Sequence, residues 1–217
     1  VPLTAQQPGA ERKVALVIGN GEYGDLGSLE NPVNDARDVA VALGRIGFQA
    51  DTLTNANLTE MEDAVIRMSD RLSGSPNTTG FFFYAGHGVQ SDGVNYLIPS
   101  RARIPGEDFL GERALSAQVV LNVMQRAENR LNVVVLDACR DNPFSWSRSG
   151  TRGLAPASYQ PAGSIIAYAT SAGSVAMDGD GRNGVFTTEL LKHLDTPGIE
   201  VGELFQLTGR GVVERTG

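Results

Sequence analysis

Apolar and polar positions along the chain alternate between two rhythms. Val14–Ile18 is a continuous apolar run, which predicts a strand buried on both faces. Asn31-Pro32 then supplies an N-cap with proline at the first helical position, and Val33, Ala36, Ala40, Leu43 and Gly47 follow at helical spacing. Phe48–Leu53 predicts a second strand. Thr59 and Glu62 read as a capping box, with Met61, Val65, Met68 and Leu72 on one helix face and Gly74 as the stop. A third strand, Phe81-Phe82-Phe83-Tyr84, ends in Ala-Gly-His87-Gly. A short excursion at Val94–Ile98 precedes a helix over Ser116–Glu128, with Val120, Val123, Met124 and Ala127 inward.

Strand Asn132–Leu136 ends in Asp137-Ala-Cys139-Arg-Asp. Residues 141–162 are rich in Ser, Gly, Pro and Arg and read as a long loop. A fifth strand at Ser164–Thr170, a Gly/Asp loop at 173–184, a helix to about Leu194 and a last helix from Glu200 complete the pattern. The sequence stops in or just after that helix, so a longer parent protein is expected. Residues 1–12 are polar and aperiodic and read as a leader or linker ahead of a domain at 13–217. They carry no signal peptide, but a mature N-terminus left by cleavage would look the same. A periplasmic or secreted location and a cytoplasmic one both stay open.

Alternating strands and helices are the signature of an α/β fold: a mostly parallel central sheet with helices on both faces. Ligands of such sheets bind beyond the carboxyl ends of the strands. His87 and Cys139 each follow an apolar strand, which places both on one rim.

Composition narrows the chemistry. A length of 217 residues fits one domain, and a net charge of −7 argues against a general nucleic-acid binder, which needs clustered Lys and Arg. No apolar run approaches the roughly 18–20 residues of a membrane helix. The 26 glycines point to many tight turns. One cysteine and two histidines exclude an intrachain disulfide and a Cys/His zinc cluster. Two motifs are decoys. Gly19-Asn-Gly21-Glu-Tyr-Gly24 matches the dinucleotide fingerprint, but the helix that should open at its glycines waits until Pro32. Asp178-Gly-Asp180-Gly-Arg182-Asn183, with Glu189 in the twelfth position, lacks the oxygen ligand and the glycine that a calcium loop needs at its fifth and sixth positions.

Cys139 and His87 hold up better. A lone cysteine is most often a small buried hydrophobe. Cys139, however, stands among Asp137, Arg140 and Asp141, a wet setting. A cysteine nucleophile needs a base to form thiolate and an acid to protonate the leaving amine, and one histidine serves both steps. His193 sits among Leu190, Leu191 and Leu194 and reads as a packing or surface residue.

Phe81-Phe-Phe-Tyr-Ala-Gly-His87-Gly88 and Val134-Val-Leu-Asp137-Ala-Cys139-Arg140 resemble the His and Cys boxes of the caspase/metacaspase superfamily, peptidase clan CD. The likeness is greatest to bacterial metacaspase-like (orthocaspase) domains. Asn34-Asp35-Ala36 and Ala169-Thr-Ser-Ala-Gly173, followed by the Asp-Gly loop, resemble that group too, so the likeness covers about 13–215. The separation of about 50 residues from His to Cys is a known property of caspases. True caspases have Gln two residues before the cysteine, where this chain has Asp137.

The resemblance implies a caspase-like three-layer α/β/α sandwich and a thiol protease of the C14 type. It implies a Cys139–His87 dyad, an oxyanion hole from the backbone N–H groups of Gly88 and Cys139, and a backbone carbonyl orienting the histidine. Asp35 and Asp137 match the acidic pocket (S1) positions of metacaspases, which implies protein or peptide substrates cut after Arg or Lys. Two converging carboxylates do suit a guanidinium. The plainer readings are a carboxylate stabilising a helix N-terminus for Asp35 and a solvated loop acid for Asp137. Self-cleavage after Arg148 or Arg152 in the 141–162 loop is a further expectation, against arginines that only aid solubility. No cofactor is required by the sequence. Calcium activation stays open without a placed site, Glu107, Asp108 and Glu112 being only nearby acids, and the resemblance leans towards a monomer. The alternative is a non-catalytic caspase-fold scaffold (a pseudoprotease) acting in protein–protein interaction.

Overall fold

The apolar runs form a parallel sheet in the computed structural model, which describes residues 11–139, 144, 154, 163–169 and 181–216 without the side chains of Asp25 and Cys139. Strands β1 (Arg12–Gly19), β2 (Gln49–Thr54), β3 (Thr78–Ser91), β6 (Leu131–Cys139) and β7 (Ser164–Tyr168) lie in the order β2-β1-β3-β6-β7, all parallel. Two short strands, β4 (Val94–Leu97) and β5 (Leu115–Ser116), extend the far end of β3 as an antiparallel flap. β1 begins at Arg12, inside the stretch that the sequence assigns to the leader.

The pleat sends alternate side chains to opposite faces, and each face has its own helices. Val14, Leu16, Ile18, Phe82, Val134 and Leu136 pack on one side against α2 (Leu58–Leu72) and α4 (Ala117–Arg126). Ala15, Val17, Phe81, Phe83, Val133 and Val135 pack on the other against α1 (Pro32–Arg45), α5 (Val185–Leu191) and α6 (Val201–Thr216). The three-layer α/β/α sandwich is the one that the alternation predicts. A short α3 (Leu110–Arg113) lies in a third apolar cluster with Tyr23, Ile98 and Phe144. Among the described residues no helix is long and apolar enough to cross a membrane.

Three details differ from expectation. The capping box of α2 is Asn57 with Glu60, not Thr59 with Glu62: Asn57 Oδ1 accepts from Glu60 N–H at 3.0 Å and Glu60 Oε2 from Asn57 N–H at 2.8 Å. Asn31 does precede α1, but its side chain makes no capping hydrogen bond. β3 continues to Ser91 instead of ending at Tyr84, because its backbone is paired with β6 as far as His87 and with β4 from Gly88 onward.

The rejected dinucleotide glycines have a packing role. A Cβ on Gly19 would stand 2.1 Å from the Pro32 carbonyl oxygen, and one on Gly21 would stand 2.5 Å from that of Leu29. Glu189, the twelfth residue of the rejected calcium loop, is buried and paired with Lys192 at 2.6 Å and Arg215 at 3.0 Å, which ties α5 to α6. The first three residues of that loop, 178–180, lie outside the described residues.

Replacing Asn57 by Ala removes the side-chain acceptor of the observed capping box and leaves the half in which the residue-57 backbone N–H donates to Glu60. It should lower the unfolding free energy by about 1 kcal/mol in urea titration, whereas Thr59→Ala should cost much less.

Candidate active site

Parallel pairing of β3 with β6 sets Ala85 opposite Asp137, Gly86 opposite Ala138 and His87 opposite Cys139. Neighbouring strands lie about 4.8 Å apart, so the two candidate catalytic residues share the rim that the sequence assigns them. They are the last paired residues of the β3–β6 ladder, not loop residues beyond it.

The backbone of His87 is held on both sides. Its N–H donates to Tyr23 Oη at 2.8 Å, and its carbonyl accepts from Ile98 N–H at 3.0 Å and Tyr84 Oη at 2.7 Å. The two phenol oxygens are 3.2 Å apart, and both tyrosines are fully buried. Gly86 makes this grip possible: at φ +150 it leaves room where a Cβ would come 2.2 Å from Tyr23 Oη. Asn20 braces the same corner, accepting from Ala56 N–H at 2.9 Å and donating to the Ile98 carbonyl at 3.2 Å.

The imidazole is buried and packs against the Tyr23 ring, centroids 4.4 Å apart. Its Nε2 lies 3.3 Å from the Gly27 carbonyl oxygen. A carbonyl only accepts, so this contact puts the proton on Nε2 and makes Nδ1 the basic nitrogen. Gly27 closes the 3₁₀ turn Gly24–Leu26 at φ +81. A backbone carbonyl orienting the histidine is what the family resemblance implies; which carbonyl was not legible in the sequence. Gly88 has its own constraint, since a Cβ there would come 2.9 Å from both Ala138 Cβ and Leu154 Cδ2.

Asp35 and Asp137 come from different elements and converge on Gly184. Asp35, in the first turn of α1, accepts from Gly184 N–H at 3.1 Å, and Asp137 Oδ2 accepts from Thr187 Oγ1 at 2.7 Å. A Cβ on Gly184 would stand 3.4 Å from the Asp35 carboxylate and 3.8 Å from that of Asp137. Burial, and then the negative charge of Asp137, push the Asp35 pKa up to about 7, against hydrogen bonds from Asn183 and Gly184 that favour the anion. This is the reverse of a carboxylate stabilised by its own helix N-terminus. Asp137 is a half-buried strand residue bonded to α5 rather than a solvated loop acid. Among the described residues no Lys or Arg forms an ion pair with Asp35.

Sequence reasoning missed the groups that hold this pair. Thr187, Gly184 and Asn183 follow a featureless Gly/Asp stretch. Asp38, which pairs with Arg182, lies three residues after Asp35 on the same helix face, a periodicity that could have revealed it. Glu107 accepts from Ser91 Oγ at 2.7 Å, and among the described residues no three His, Cys, Asp or Glu side chains are grouped to hold a metal ion. His193 is half-buried near the end of α5. Arg148 and Arg152 lie outside the described residues.

The family model for the caspase domain, peptidase C14, matches residues 12–217. The chain belongs to the caspase domain family. It is 34% identical over 137 residues to the human mucosa-associated lymphoid tissue lymphoma translocation protein 1, covering 63% of this chain and 16% of that protein. The mouse homolog is 34% identical over 134 residues, covering 62% and 16%. The chain thus spans about a sixth of the length of these curated relatives. Among solved structures, the Drosophila initiator caspase Dronc superposes with a TM-score of 0.64 at 11% identity, covering 92% of this chain and 72% of that one. The sandwich is therefore the caspase fold, and the chain lies in the caspase/metacaspase superfamily that its boxes resemble.

The raised Asp35 pKa makes a stability prediction. The folded protein holds that proton more tightly than the unfolded chain, so wild-type stability falls as pH rises from the ordinary value of 3.8 through about 7. Asp35→Asn keeps an acceptor for Gly184 and removes the titration. Its stability relative to wild type should grow between pH 4 and pH 8, by at most about 4 kcal/mol. Urea titrations across that range give the answer, and a constant difference would contradict the electrostatic reading.

Proposed function

We propose that this domain is a cysteine endopeptidase that cleaves peptide bonds after Arg or Lys. The observation that carries the reading is the pair of carboxylates, Asp35 and Asp137, held together beside the His87–Cys139 rim without a Lys or Arg ion pair to Asp35 among the described residues. A substrate guanidinium or ammonium complements these two carboxylates, the second of which lies two residues from Cys139.

In the reaction, His87 Nδ1 takes the thiol proton and Cys139 Sγ attacks the scissile carbonyl carbon. The backbone N–H groups of Gly88 and Cys139 receive the oxyanion. The C–N bond breaks as His87 returns the proton to the leaving amine, and water then hydrolyses the thioester to release the new carboxyl terminus and the free thiol. The Gly27 carbonyl keeps the imidazole in the tautomer that this sequence needs. Membership of the caspase domain family supports this chemistry, and the acids at 35 and 137 favour the metacaspase-like branch of the superfamily over Asp-directed caspases. The domain acts on protein or peptide substrates as a monomer.

A peptide library varied at the residue before the cleaved bond, assayed with and without calcium, should show Arg and Lys preferred. Cys139→Ala should reduce turnover to background. A preference for Asp, or unchanged turnover in the variant, overturns the assignment.

Self-processing belongs to the same proposal. Intact mass should show wild type cut after Arg148 or Arg152 and Cys139→Ala whole; an uncut wild type, or a cut that persists in the variant, rejects it.

A further inference from the structure

Beyond Cys139 the chain comes back to the rim it has just left, and a buried leucine marks the place. Leu154 is 4% exposed and shares a core cluster with Leu136 and Ala138 of β6 and Tyr84 of β3. A Cβ on Gly88 would stand 2.9 Å from Leu154 Cδ2 and 3.0 Å from its Cγ. The isobutyl group therefore packs onto the bare Cα of Gly88, with Ala138 Cβ beside it. Strand alternation fixes where the Gly88 N–H points. His87 sends its N–H to Tyr23 Oη and its carbonyl to Ile98 N–H, both at one edge of β3. Bonded and non-bonded pairs alternate along an antiparallel ladder, so Gly88 and Leu97, the next pair, are of the non-bonded kind. The Gly88 N–H accordingly faces the other edge, where β3 pairs with β6 as far as Cys139.

We propose that Leu154 is a positioning residue for the oxyanion: it seats the Gly88 peptide so that its N–H is aimed at the oxygen of the attacked carbonyl. The inference rests on the reading of Cys139 as nucleophile and of the Gly88 N–H as an oxyanion donor. Glycine has the widest choice of φ and ψ and no side chain to limit it, so a neighbour packed on its Cα narrows that choice. Aim matters because an oxyanion donor acts only at about 2.7–3.1 Å from the developing charge, where one donor contributes roughly a hundred- to a thousandfold to turnover. A buried aliphatic group behind the peptide also keeps water from that face, which strengthens the interaction at the donor.

A peptidyl-Arg substrate and iodoacetamide together test this. Leu154→Ala should lower kcat about tenfold with KM within about twofold, since the donor acts in the transition state. Cys139 is the one cysteine of the chain, and its alkylation by iodoacetamide forms no oxyanion. That rate should stay within about twofold of wild type, because it reads the thiolate alone. Leu154→Met keeps the volume and should hold kcat within about threefold of wild type. Should Leu154→Ala not fold, as read by circular dichroism, Leu154→Val takes the same measurements, with kcat lowered about threefold. A kcat that does not fall, a KM that rises in its place, or alkylation that slows in step with kcat overturns the proposal. So does a Leu154→Met variant as slow as Leu154→Ala. Wild type and Cys139→Ala in the same assay separate the two readings. Turnover that depends on Cys139 with a failed Leu154 pattern sinks the role of Leu154 alone, while no Cys139-dependent turnover removes the endopeptidase and this inference with it.

Discussion

The parallel register between β3 and β6 is the constraint on which the site depends. Strand side chains alternate with a period of two, so a slip of one residue would carry every side chain of one strand to the opposite face. The buried residues fix the register: Phe81, Phe83, Val133 and Val135 fill one side of the sheet, and Phe82, Val134 and Leu136 the other. With the cores satisfied there is one way to extend the ladder to the rim. It sets Ala85 against Asp137 and His87 against Cys139. Hydrophobic packing well inside the domain thereby decides which polar residues meet at its edge.

Rigidity at that edge comes from backbone rather than from side-chain ion pairs. His87 is gripped through its own N–H and carbonyl by two buried phenols, and its ring is aligned by the Gly27 carbonyl. Such an arrangement holds a base in place without fixing its charge, since no carboxylate is required to orient the ring. The glycines at 27 and 86 are part of the same device. One supplies a turn at φ +81, and the other supplies space for a hydroxyl that any side chain would displace. The acidic pair follows the opposite principle. There a carboxylate is buried beside a like charge at a cost in stability, and hydrogen bonds from Gly184 and Asn183 offset only part of it. Sites that bind charged ligands commonly carry such a cost, because the interaction that destabilises the empty protein is the one that the ligand relieves.

The sequence made the fold legible because its apolar runs are long and its helices amphipathic: β1, β3 and β6, and the inward faces of α2 and α4, could be read without reference to anything distant. His87 and Cys139 were legible for a related reason, as each ends such a run. What escaped depends on contacts across many residues. The strand continues through Ala-Gly-His-Gly, which has no strand propensity, because partners on both sides pair with its backbone. The true capping box of α2 lay two residues before the one chosen, a case where a single turn offers two plausible pairs. Gly27, Tyr23 and Thr187 act through a carbonyl and hydroxyls that no local pattern marks.

On the proposed reading, catalysis and specificity would share one strand, which would limit how either can vary. Asp137 and Cys139 are neighbours but one on β6, both fixed against β3 by the same ladder, so the distance from the proposed pocket to the proposed nucleophile follows from backbone geometry. Asp35, by contrast, comes from α1, and the segment that opens α5 hydrogen-bonds both it and Asp137. The two halves of the pocket therefore differ in kind. The β6 half moves only if the sheet moves, whereas the α1 half depends on polar contacts from Gly184, Asn183 and Asp38 near the surface. If the two acids select the substrate as proposed, changes in selectivity would be easier to reach through the α1–α5 contacts than through Asp137, whose displacement would carry Cys139 with it.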